Sequence, residues 1–267
     1  MAQLVKEVST VLNVKFVTND QTGGIEAWHY TDLLKTVGEG VDWRGKEDHS
    51  EAPEKVIPEV PSEYRFRYAE DDTDQQLEYF NSEAGTPGFG NANVSTDGYA
   101  EPEEIETKFG ATGSATTLGG LFIPRMNKIG GTYQVDDYKR KEPRLLIADG
   151  TLYGEWTFDS VAREAYPKVY FVWPGETRWS LSFWNETRYG TTAAGTAEQY
   201  HRAFIERAQA PTLEINLRLW DDELMGLDLT RPVLVSDGYH DGWYYVLEVD
   251  QKRFGVPEYT RCKLIPV

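Results

Sequence analysis

The sequence predicts a mainly β protein with a few helices (α+β), built from antiparallel β-barrel or sandwich modules. Three observations predict it. First, after Leu219 three short apolar runs, at 232–236, 243–249 and 259–265, are separated by Asp237-Gly238, Asp241-Gly242 and Gly255-Val256-Pro257. β-Branched and aromatic runs bounded by Gly, Pro and Asp are hairpin strands. In the last run Thr260, Cys262 and Leu264 alternate with Arg261 and Lys263, the one-dry, one-wet pattern of an antiparallel sheet. In the middle run the alternation puts Tyr245, Leu247 and Val249 on one face and Tyr244, Val246 and Glu248 on the other. Second, short strands are expected at close spacing over 144–147, 154–158, 168–173 and 180–184, as in sandwiches and barrels. Third, clear helical periodicity is confined to the start of the chain and to 196–208.

In chain order, Leu4, Val5, Val8, Val11 and Leu12 recur at helical spacing, which predicts an amphipathic helix ending near Asn13. A strand at 14–18, a turn at 19–24 and a second strand at 25–30 follow. A helix plus a hairpin (1–37) is too small to bury its own apolar faces, so it is expected to pack on something N-terminal or on another chain. Residues 38–61 are polar and punctuated by proline, the pattern of a connection. Tyr64 to Tyr68 (YRFRY) alternates aromatic rings with arginine and is a strand. Residues 81–102, rich in Gly and Asn with no apolar period, are expected to form an exposed irregular excursion. A strand resumes at 104–109, a flexible stretch follows at 111–120, and a short strand at 121–124. The region 38–143 is thus an extended β region, and 144–267 a C-terminal β-barrel or sandwich module. Within the latter, Thr196 can cap a helix over 196–208, Gln199 can complete a capping box, and Tyr200, Phe204 and Arg207 share a face. Leu213, Ile215, Leu217 and Leu219 then alternate with polar residues in a strong strand.

Hydrophobic residues make up 40% of the 267-residue chain and aromatics 13%, enough for a sizeable core. The net charge of −17, from 27 basic and 44 acidic residues, disfavours nucleic acid as a partner. The one basic cluster, Lys139-Arg140-Lys141, adjoins Asp136 and Asp137. No apolar run is long enough to span a bilayer, and the opening residues do not read as a signal peptide. A single cysteine excludes an internal disulfide framework, which suits synthesis in a reducing cytoplasm.

Candidate chemistry is sparse. Asp71, Asp72 and Asp74 resemble the start of a calcium loop, but the central Gly is missing and Glu78 comes too early, so a solvated acidic turn is expected. His29, His49, His201 and His240 have no cysteine at ligand spacing, and His201 is a face residue of the predicted helix. Residues 110–120 lack the Lys and Ser/Thr that complete a phosphate loop. Cys262, mid-strand, is expected to be a small buried hydrophobe. No nucleophile elbow is visible. No catalytic residue, metal or cofactor is therefore expected, and no enzyme activity. Trp173, Trp179 and Trp184 are candidates for stacking on sugar rings, against the commoner role of aromatics as core or interface anchors.

Several stretches, taken in order, resemble the C-terminal part of the large tail proteins of phages that infect Bacteroidetes. They are LVKEVSTVLNVKFVTND with IEAWHYTDLL, then VDWRGKEDHSEA, then YRFRYAEDDTDQQLEYFN. QYHRAFIERAQAPTLEINLRLWDDELMGLDLTRPVLV and WYYVLEVDQKR with YTRCKLIPV complete the series. The resemblance spares the 81–102 stretch. It implies a virion structural protein at the tail hub, baseplate or tip, made in the host cytoplasm. Such a protein would form a ring, trimeric or hexameric, with other tail proteins as neighbours and no catalytic residues. Open strand edges and orphan faces point the same way on physical grounds, because neighbouring copies satisfy them. The contacts are expected at 25–30, 81–102 and 243–267, with Ile25, Trp28, Tyr30, Phe89, Tyr99, Trp243, Tyr244 and Tyr245 as the candidate residues. The alternative function is a carbohydrate- or receptor-binding domain on a tail tip, with a host glycan as ligand.

Overall fold

The computed structural model describes residues 2–18, 23–71, 77, 81–82, 88–112, 142–158, 161–171, 180–188, 191–236, 238–250 and 259–267. The expected strand at 121–124, the basic cluster 139–141, Asp72, Asp74, Trp173 and Trp179 lie outside the described residues, as do 113–120 of the expected flexible stretch. The elements in chain order are α1 (Ala2–Leu12), β1 (Val14–Thr18), β2 (Ile25–His29), α2 (Tyr30–Leu33), β3 (Val41–Asp42), β4 (Glu54–Val56), β5 (Glu63–Ala69), β6 (Ala92–Ser95) and β7 (Glu103–Gly110). Then come β8 (Ile147–Phe158), β9 (Val161–Tyr170), β10 (Glu186–Arg188), β11 (Thr191–Ala193), α3 (Arg202–Ala208), β12 (Thr212–Leu217), α4 (Asp221–Met225), β13 (Val233–Val235), β14 (Gly242–Val249) and β15 (Thr260–Pro266). The chain is mainly β, with sandwich-like open sheets and short helices. Among the described residues none of its sheets closes into the barrel that the sequence allowed.

Two compact units share the chain. One comprises Met1–Asn13, Ser62–Ser95 and Glu101–Arg202, and the other Val14–Pro61, Thr96–Ala100 and Ala203–Val267.

The first unit has an aromatic core. β5 lies between β6, antiparallel to it, and β7, parallel to it. The YRFRY alternation puts Tyr64, Phe66 and Tyr68 inward. The Phe66 and Tyr68 rings lie 5.1 and 4.9 Å from that of Phe183, and Tyr68 lies 5.4 Å from Phe171. Fully buried rings of this size contribute roughly 1.5–3 kcal/mol each. Within the expected excursion, Ala92–Ser95 pairs with β5, and Phe89 is buried 5.8 Å from Phe171. Residues 180–184, expected as a strand, bend instead. Phe183 N–H donates to Gly90 O at 2.8 Å.

The helix expected over 196–208 begins with a π turn (Ala197–His201) before α3. Thr196 does not cap it: its hydroxyl donates to Ser182 O, and Gln199 Nε2 donates to Ala194 O, so no capping box forms. His201 is buried, 4.8 Å from the Phe66 ring and 3.4 Å from Val11 O. The acidic turn expected at Asp71 is also different. Asp71 is buried and takes a 2.9 Å hydrogen bond from Arg144 Nη2, because a carboxylate leaving water needs a cation beside it.

The second unit is organised by a six-stranded sheet of order β3-β13-β14-β15-β12-β4. Leu213, Ile215, Leu217, Val233, Val235, Val246, Cys262 and Leu264 form its core, as the alternations of β12 and β15 dictate. β14 departs from simple alternation. Its register against β15 shifts between Val246 and Glu248. Leu247 is left exposed while Val246 and Val249 both pack on the core, which is what a bulge does. The expected connection at 38–61 contributes Trp43, 3% exposed, to that core, and supplies both edge strands β3 and β4. Glu47 within it is buried, with Oε1 accepting the Ser236 N–H at 2.9 Å.

Candidate assembly surface

β1 and β2 form a two-stranded ribbon, with Phe16 opposite Ala27 and Lys15 opposite Trp28. Because direction alternates along each strand, Phe16, Ala27 and Ile25 share one face, and Lys15, Trp28 and Glu26 the other. Ile25 is 77% exposed, and Phe16 and Trp28 each 43%. Trp28 Nε1 donates to Glu26 Oε2 at 3.0 Å. Among the described residues each strand has only the other as a ladder partner. A two-stranded ribbon with apolar side chains open on both faces is marginal by itself.

The remaining candidates of this unit are used partly inside it. The Tyr30 ring meets Phe204 edge-on at 5.6 Å, and Arg207 Nη1 donates to its hydroxyl at 3.3 Å. The Arg207 guanidinium also lies 4.8 Å from the Tyr245 ring. Tyr245 is 5% exposed and donates to Lys35 O at 2.7 Å. Burial raises its pKa, and the Arg207 charge opposes the rise. Tyr245 therefore offers little ring surface to a second chain. Trp243 is half-buried over Gly40, where an added Cβ would fall 2.2 Å from its ring. Tyr244 is half-buried against the core. Tyr99 is 75% exposed, next to the Tyr99 and Ala100 N–H groups that donate to Val60 O.

Phe89 of the first unit is 6% exposed and is a core residue, not a surface one. Trp184 is 56% exposed; Trp173 and Trp179 lie outside the described residues, and Trp184 is the one stacking candidate among those described.

The sequence reading missed two features of the second unit. Phe16 joins the exposed ribbon. Ile57, 74% exposed, follows edge strand β4, which has only β12 beside it among the described residues. The signal for Ile57 was faint, since β4 is three residues long and too short to show a period.

The first unit holds a polar cavity of about 820 Å³, lined among others by Lys6, Glu7, Arg67, Glu104, Glu106 and Glu142. Two of these charged groups, Arg67 and Glu7, are held within the unit. Arg67 donates to Ala92 O at 3.0 Å and to Asn93 Oδ1 at 2.7 Å, and Glu7 accepts from Thr107 and Lys108. Among the described residues no group of three His, Cys, Asp or Glu side chains is placed to hold a metal ion. No helix among them is long and apolar enough to cross a membrane.

No protein-family profile matches the chain, and no curated protein sequence matches it. Among solved structures, the 43 kDa tail protein of prophage MuSo2 from Shewanella oneidensis is similar, with a TM-score of 0.40 and 11% identity. The similarity covers 98% of this chain and 53% of that one, so the chain spans about half the length of that tail protein.

Proposed function

We propose that this chain is a non-enzymatic structural component of a phage or phage-like tail, at the hub, baseplate or tip, acting through oligomeric assembly. The observation that carries the assembly reading is the β1–β2 ribbon, which exposes Phe16, Ile25 and Trp28 and has no further ladder partner among the described residues. Ribbons of this kind are stabilised by a neighbour. Most of the other large exposed apolar side chains among the described residues, including Met225 and Tyr239, also belong to this unit. The tail setting rests on the ordered sequence resemblance. A ring of three or six copies in the virion, made in the host cytoplasm and touching other tail proteins, is the arrangement this reading entails. The purified chain should scatter light as a multiple of its 30.4 kDa mass. A strictly monomeric mass across micromolar concentrations would contradict the assembly reading.

A glycan-binding tail-tip domain is the second reading, favoured by the exposed Trp184 ring. It requires glycan-array binding that disappears in Trp184→Ala with the fold intact.

A further inference from the structure

Two strands of the second unit, β2 (IEAWH) and β4 (EKV), each have one side without a ladder partner among the described residues. β4 ends the six-stranded sheet, and β2 ends the two-stranded ribbon. Pro53 and Pro58 flank β4, so its edge offers a short, bounded docking length and not an open-ended template. We propose that β2 of one copy pairs antiparallel with the β4 edge of a second copy, with Lys55 opposite Glu26. This deepens the assembly reading above and rests on it.

That register sets Val56 opposite Ile25, Glu54 opposite Ala27 and Pro53 opposite Trp28. Directly opposed residues share a face. The Ile25 side chain, 77% exposed, is covered by Val56, while Ile57, 74% exposed, falls on the opposite face with Lys55. On the other face the Lys55 ammonium meets the Glu26 carboxylate, and the Trp28 ring lies over Pro53. The ribbon strands carry one cation, Lys15, and one carboxylate, Glu26. In a chain of net charge −17, such a charge-poor element can approach a second copy without the repulsion that opposes most other contacts. The contact joins two different patches, so made once between successive copies it generates a ring or an open helix.

Charge exchange tests the pairing. Lys55→Glu and Glu26→Lys should each weaken self-association of the full chain about tenfold, as a cross-strand attraction becomes a repulsion. The double variant should restore it, with circular dichroism unchanged throughout. Separately, chains carrying Ile25→Cys mixed with chains carrying Val56→Cys should form a disulfide-linked dimer on mild oxidation. Cys262 does not compete, being buried. Oligomers indifferent to both exchanges, or a double variant as weak as the singles, would overturn the pairing and leave the assembly reading standing. A wild-type chain that stays monomeric would overturn both.

Discussion

The Glu7 carboxylate accepts the Lys108 backbone N–H at 2.7 Å and the Thr107 hydroxyl at 3.0 Å, tying α1 to β7 within the first unit. The contact answers a local need. The β5–β7 register shifts after the Tyr68–Thr107 pair and resumes at Ala69–Gly110, so the Lys108 and Phe109 amides leave the ladder. Glu7 takes the first, and Thr107 Oγ1 accepts the second at 3.3 Å.

Glu7→Ala leaves a Lys108 amide without its partner and should cost about 1–3 kcal/mol, read as a lower midpoint in thermal unfolding. Burial alone would raise the Glu7 pKa. The hydrogen bonds from Lys108 N–H, Thr107 and Gln3, with the Lys108 charge, outweigh it and hold the carboxyl below its ordinary value of 4.5. With the folded value depressed, the stabilisation is present above the unfolded value and is lost as pH falls through the folded one. Thermal midpoints of the wild type should therefore drop below pH 4.5 more steeply than those of Glu7→Gln. Parallel pH profiles would remove Glu7 from the account.

Asp71 and Arg144 form a buried ion pair, with side chains 1% and 8% exposed. Arg144 also donates to Ala111 O, and Gly110 N–H to Pro143 O. Removing one charge strands the other, so Arg144→Ala or Asp71→Asn should each cost about 3–5 kcal/mol. Replacing both with apolar residues of similar size should cost less than either single change. Stability curves of the three variants decide it.

Asn13 ends α1 with φ of 46°, a left-handed conformation that Asn tolerates better than Ala. Its Nδ2 donates to Tyr200 O at 2.7 Å. Asn13→Ala loses the hydrogen bond and strains the backbone, and should cost roughly 2 kcal/mol. Asn13→Gly loses the bond alone and should be the milder variant, by comparison of melting curves.

Cys262 is fully buried in the sheet core, and burial pushes its thiol up to about 12. Because the thiolate is the reactive form, the native chain should react with a thiol reagent orders of magnitude more slowly than the denatured chain. Prompt native labelling would mean that the β12–β15 region opens readily.

The alternations of β5, β12 and β15 made their buried faces legible, since a period of two needs only adjacent residues. Other features depend on distant partners and left no local trace. Asp71 looked like a wet acidic turn because the cation that buries it lies 73 positions away. Trp43 sat in a polar stretch, and its strands of two and three residues are too short for periodicity. The β14 bulge turned Leu247 outward against its expected face, a register effect visible only once β15 is beside it. Among the interface candidates, exposure separates Ile25, Trp28 and Tyr99 from the buried Phe89 and Tyr245, and no hydrophobicity pattern distinguishes an anchor facing inward from one facing out.

Antibody labelling of this chain on particles released from the source cells, viewed by electron microscopy, tests the central claim most directly. Label in a ring at the tail or its tip is the expected result. Label absent from every particle would contradict the claim.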